Sequence, residues 1–173
     1  MSESPHDRDR APDEFTVAQR AGLDARQTDQ DRTLKAIHEL EAALSSAAAG
    51  REPSWRSDVA GALAILDAAT ADEQRNAAQP DSLLSDIART QPRLRNRVRG
   101  LRATYQQLRD TIAALSDEMA DSSEGADVDD LRRRLAWLLT AVRHQRAKES
   151  DLIYEAYYEA FHRDLEADAR SQR

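Results

Sequence analysis

The stretch LRNRVRGLRATYQQLRDTIAALSDEM, residues 94–119, decides the fold. Leu94, Val98, Leu101, Tyr105, Leu108, Ile112, Leu115 and Met119 recur at alternating steps of four and three. That period puts them on one face of an α-helix, the seam that a helical bundle buries. Pro92 stands at the start, where its missing N–H costs nothing. This is the third long helix of the reading.

Outward from it, further helices follow. Downstream, Asp121–Asp127 with Gly125 reads as a polar loop. A fourth helix is then expected from about Val128 to Ala167. Its seam is Val128, Leu131, Leu135, Leu138, Val142, Gln145, Glu149, Leu152 and Ala156. Upstream, Asp81–Thr90 holds Leu83, Leu84 and Ile87 and is too short for a main helix, so it reads as a cross-over turn. Pro80 stops a second helix over Trp55–Ala78, with Trp55, Val59, Leu63, Leu66 and Thr70 as its stripe. Gly50 ends a first helix that starts at Phe15 or Gly22 and runs to Ala48, with Leu34, Ile37, Leu40 and Leu44 as its stripe. Residues 1–14 are polar and charged and read as a disordered tail. Residues 168–173 are expected to fray. The expected fold is all-α: an antiparallel up-down four-helix bundle over residues 15–167, with a short helical segment between helices two and three.

Composition agrees. Charged residues make up 33% of the chain, with only 5 Gly and 5 Pro, which favours helix over strand. Cysteine is absent, so disulfides, thiolate metal sites and cysteine nucleophiles are excluded. A net charge of −7 repels a phosphate backbone. The basic run from Arg89 to Arg102 reads as a solvated helix face, with few aromatics to stack bases. No nucleic-acid partner is expected. Met1–Asp13 lacks the apolar core of a secretory signal. No apolar run approaches the ~18 residues that span a bilayer. The expectation is a soluble, cytoplasmic protein with no membrane partner.

Each seam is interrupted by polar residues. Helix three carries Tyr105, and helix four carries Gln145 and Glu149. Extending helix two by its own spacing reaches Glu73, and running helix one backwards reaches Gln30. A buried carboxylate or amide costs several kcal/mol unless it is hydrogen-bonded. Polar residues at one level of every long helix therefore suggest an organised cluster, and bundle cores are where metal and cofactor sites are built. The cluster offers carboxylates but no imidazole, and iron favours both. The histidines lie elsewhere. His38 sits beside its stripe, His162 is near the C-terminal end and His6 is in the tail. His144 is one residue from Gln145 and about 100° round the helix. A metal using Glu73, His144 and Glu149 would need that register to shift. Tyr154, Tyr157, Tyr158 and Phe161 share much of one face, either as boundary packing or as an interface for a protein partner or a second copy.

Three segments carry a resemblance. PRLRNRVRGLRATY at 92–105 resembles the start of helix three in hemerythrin-like (HHE cation-binding) domains. SLLSDI at 82–87 resembles the short segment before it. KESDLIYEAY at 148–157 resembles the helix-four ending of a bacterial branch of these domains. The resemblance spans about Leu23–Phe161. It implies a four-helix bundle whose members hold two irons through histidines and carboxylates. Carried over, the histidine positions fall on Gln30, Glu73, Tyr105 and Gln145, with the carboxylate partner kept as Glu149. The resemblance thus implies the fold, and with the imidazoles gone it argues against the family's metal function.

The sequence shows no nucleophile–base pair, no glycine-rich phosphate loop and no zinc signature. The expectation is a non-enzymatic bundle without a cofactor that acts through protein interaction. The alternative is an iron-binding or oxygen- or redox-responsive protein with an altered site. A third reading is a small-molecule pocket lined by the same polar residues.

Overall fold

The computed structural model describes residues 14–46, 50–121 and 127–171. Residues 1–13, which hold most of the expected tail and His6, lie outside them. So do 47–49 and 122–126, where the end of helix one and most of the Gly125 loop were expected. The described chain is all helical: α1 Val17–Ser45, α2 Glu52–Ala77, α3 Leu83–Thr90, α4 Arg95–Ala120, α5 Val128–Ala156 and α6 Tyr158–Ser171. A single 3-10 turn, Pro92–Leu94, joins α3 to α4. No described helix is long and apolar enough to cross a membrane.

Local chemistry sets the boundaries. Thr16 caps α1 in a reciprocal box: its Oγ1 accepts from Gln19 N at 3.1 Å, and its N–H donates to Gln19 Oε1 at 2.9 Å. The helix therefore starts at Val17 rather than Gly22. Gly50 takes a φ of 73°, a left-handed turn that suits glycine, and Pro53 follows in the first turn of α2. Ser82 caps α3, and Asp127 caps α5 by accepting from the Asp129 and Asp130 amides.

The expected fourth helix is two helices. Tyr157 leaves helical geometry at φ −118° and ψ 25°, so α5 ends at Ala156 and α6 begins at Tyr158. At the break the Ala156 carbonyl accepts from buried Gln91 Nε2 at 2.8 Å, and Tyr157 Oη donates to Asp86 Oδ2 at 2.6 Å. Those two bonds tie the α3 region to the α5–α6 corner. Residues 168–171, expected to fray, are helical.

α1 packs on α2, α2 on α4, α4 on α5, and α1 also touches α5. The core falls into two apolar clusters. One holds Ile37, Leu40, Trp55, Leu63, Leu66, Leu108, Ile112, Leu135 and Leu138. The other holds Phe15, Leu84, Ile87, Leu101, Leu152, Ile153 and Tyr157. Burying each such side chain contributes roughly 1.5–3 kcal/mol. Along α4, Leu101 belongs to one cluster and Leu108 to the other, and Tyr105 lies between them. A polar layer separates the two halves of the core.

Candidate functional site: a buried polar layer

α2, α4 and α5 deliver their polar residues where the seam spacing puts them. Glu73, Tyr105, Gln145 and Glu149 are all buried, with exposures of 4%, 4%, 1% and 3%. The Tyr105 hydroxyl lies between the two carboxyls, 3.1 Å from Glu73 Oε1 and in a shorter contact with Glu149 Oε2. Thr33 Oγ1 donates to the other Glu73 oxygen at 2.7 Å. Arg26 Nε donates to the other Glu149 oxygen at 3.1 Å, and Arg26 Nη2 reaches Ser150 Oγ at 2.8 Å.

Proton counting fixes how this layer is charged. A phenol carries one proton and cannot donate to two carboxylates at once. The ion pair with Arg26 makes Glu149 the anion. Glu73 must then supply the second proton, donating to Tyr105 Oη while Tyr105 donates to Glu149. Burial pushes the Glu73 carboxyl above its usual range. Its hydrogen bond from Thr33 opposes that shift, and the neighbouring Glu149 reinforces it. Burial, and after it the Glu149 carboxylate, push the Tyr105 phenol up as well, so it stays protonated. The result is a chain from Glu73 through Tyr105 and Glu149 to Arg26 with no net charge.

α1 contributes differently from the sequence reading. Gln30 is half-buried, and its hydrogen-bond partners are arginines rather than the two carboxyls. Its amide oxygen, turned toward the guanidinium, accepts from Arg26 Nη1 at 3.2 Å, and its backbone carbonyl accepts from Arg146 at 2.7 Å. The α1 residues on the layer are Thr33 and Arg26, with buried Asp29 beside them, and the sequence reading named none of these. Its stripe took Leu34, which is 39% exposed, whereas the buried face runs Thr33, Ala36, Ile37 and Leu40. Stepping back by four from Ile37 alone reaches Thr33 and then Asp29. Gln145 is in the layer but turns away from the carboxyls, donating to the Leu101 carbonyl at 2.9 Å.

The histidines stay apart. His144 and His38 are exposed, and the exposed His162 ring stacks on Tyr158 with centroids 6.1 Å apart. Among the described residues, no group of three or more His, Cys, Asp or Glu is arranged to hold a metal ion. The aromatic set divides. Tyr157 is buried, Phe161 packs on Phe15 at 4.8 Å, and Tyr154 and Tyr158 are exposed. In the basic run, Arg93 and Arg97 both pair with Glu155, and Arg89 pairs with Asp86. No family model, curated protein or solved structure matches the chain.

Proposed function

We propose that this chain is a hemerythrin-like antiparallel up-down bundle in which a hydrogen-bonded polar layer stands where relatives would hold iron. On this reading it is a non-enzymatic protein that acts through protein interaction. The neighbour relations of α1, α2, α4 and α5, which run round in a ring, support the bundle. The observation that carries the rest is the Tyr105 hydroxyl between Glu73 and Glu149. A proton donor bridges the two carboxyls where a metal site would place a cation, and Arg26 already neutralises Glu149. The surface assigned to interaction carries the exposed Tyr154, Tyr158 and Leu165, because aromatic side chains are enriched at interfaces.

A second reading keeps an altered metal or redox-responsive site on Glu73, Tyr105 and Glu149. The meeting of two carboxyls on one phenol favours it, but a cation there would have to displace both the phenol proton and Arg26. Elemental analysis of protein expressed in iron-rich medium separates the two. The scaffold reading expects iron well below stoichiometric. Stoichiometric iron with an oxo-bridge absorption band would replace it with the metal reading.

A further inference from the structure

A half-open cavity of about 480 Å³ lies beside the polar layer, bounded by α1, α2 and the start of α3. Small-molecule sites have volumes of roughly 300–1,000 Å³. Two kinds of surface line this one. Ala18, Ala21, Gly22 and Ala25 of α1 present short side chains toward Leu83 and Leu84 of α3. Gly22 marks the closest approach, since a Cβ there would stand 3.1 Å from Leu83 Cγ. At the buried end the lining changes to Asp29, Glu73, Asn76, Glu149 and Arg26.

That end is rich in acceptors and short of donors. An ionised carboxylate offers about four lone-pair sites. Asp29 takes Asn76 Nδ2 at 2.8 Å on one oxygen and stands 3.9 Å from Arg32 on the other. Glu73, which gives its own proton to Tyr105 Oη, takes Thr33 on Oε2 and keeps a spare lone pair there. Arg26 is the guanidinium of this wall, and it already gives hydrogen bonds to Glu149 and Ser150. An anionic head would meet the Asp29 and Glu149 carboxylates, while the nearby guanidinium groups are already engaged, Arg26 with Glu149 and Ser150 and Arg32 with Asp72. A cationic donor meets the reverse.

We propose that this cavity binds a small aliphatic amine. Its ammonium sits against the Asp29 carboxylate and donates to Oε2 of the protonated Glu73, and its hydrocarbon body lies between the alanine face of α1 and Leu83–Leu84. An ammonium is a compact, donor-only group and matches spare carboxylate acceptors. The chain gains by leaving water for the apolar wall. Water is the competing occupant, because a polar cavity of this size readily holds it. The inference does not depend on the scaffold reading.

Calorimetric titration of the full chain with n-hexylamine, 1-hexanol and hexanoate tests it. The amine should bind at least about ten-fold tighter than the alcohol, because a hydrogen bond to a charged group outweighs a neutral one. Hexanoate should bind more weakly than either. Asp29→Asn should remove most of the preference for the amine. Because Asp29 also holds Asn76, a second variant separates binding from folding. Ala25 is exposed and lines the cavity. Ala25→Leu should therefore leave the melting temperature unchanged and weaken the amine by about ten-fold, since the added side chain occupies the space of the hydrocarbon body. Equal affinity for amine and alcohol would overturn the proposal. So would amine binding that Ala25→Leu leaves untouched, or hexanoate binding as tightly as the amine.

Discussion

Replacing Tyr105 with Phe removes one oxygen from the buried layer and keeps the ring. The phenol makes two contacts that Phe cannot, one with Glu149 and one with Glu73. A hydrogen bond to a charged group contributes about 1.5–3 kcal/mol, and a neutral one about 1 kcal/mol. Tyr105 is 4% exposed and does not itself line the cavity, but its partners Glu73 and Glu149 do, so water entering from that side sets the lower end of the loss. The expected loss is therefore about 2.5–4 kcal/mol. For a chain of 173 residues that lowers the melting temperature by roughly 5–16 °C. Urea and thermal unfolding followed by circular dichroism at neutral pH would measure it. Glu73→Leu makes the second arm of a double-mutant cycle. The paired variant should lose clearly less than the sum of the singles, because the two share one bond. A loss under about 1 kcal/mol, or strict additivity, would show that the phenol does not bridge the carboxyls.

The other expectations concern pH and metal. Glu73 has a raised folded-state pKa, so its contribution is fully present below the unfolded carboxyl pKa. It is lost as pH rises from there through the folded value. Glu73→Gln imitates the protonated acid, so stability measured across that window should flatten, and at neutral pH the variant should equal or exceed wild type. Asp86 behaves oppositely. Burial alone would raise it, but hydrogen bonds from Tyr157, Gln19 and Arg89 outweigh burial and hold it below the usual range. Its contribution is present above the unfolded pKa and fades as pH falls through the folded one, so Tyr157→Phe should cost about 1–3 kcal/mol at neutral pH and less in acid. Iron analysis of purified protein, with the expected sub-stoichiometric result, completes the set.

Where one side of a helix is apolar and the rest charged, the seam was legible. α4 buries Val98, Leu101, Tyr105, Leu108, Ile112, Leu115 and Met119, the residues its spacing names after Leu94. Glu73, Gln145 and Glu149 follow from the same rule on α2 and α5 and are buried as that rule requires. The first half of α1 was not legible, because residues 24–33 are polar on every face and period alone cannot choose among them. Its position is set by long-range partners instead: Glu149 and Ser150 for Arg26, Asn76 for Asp29 and Glu73 for Thr33. The break at Tyr157 was hidden for a related reason. No Gly or Pro marks it, and the helical pattern continues through it. What ends α5 is the tertiary grip of Gln91 on the Ala156 carbonyl and of Asp86 on the Tyr157 hydroxyl.

The same partners explain how a polar layer can persist in the core. Removing two carboxyls, a phenol and an arginine from water is costly, and the cost is offset only when each group finds its complement. Here one proton held on Glu73 and one guanidinium from α1 neutralise the layer. The requirement falls on α1, since α2, α4 and α5 supply two acids and the phenol but not the cation for Glu149. A shift of α1 by one residue would carry Arg26 about 100° round its helix, away from Glu149, and leave a buried carboxylate unpaired. The apolar seam on α1 is short, with Ala36, Ile37 and Leu40 as its buried hydrophobic residues. Arg26 and Thr33 therefore set the register of the half of α1 that hydrophobic packing leaves undetermined.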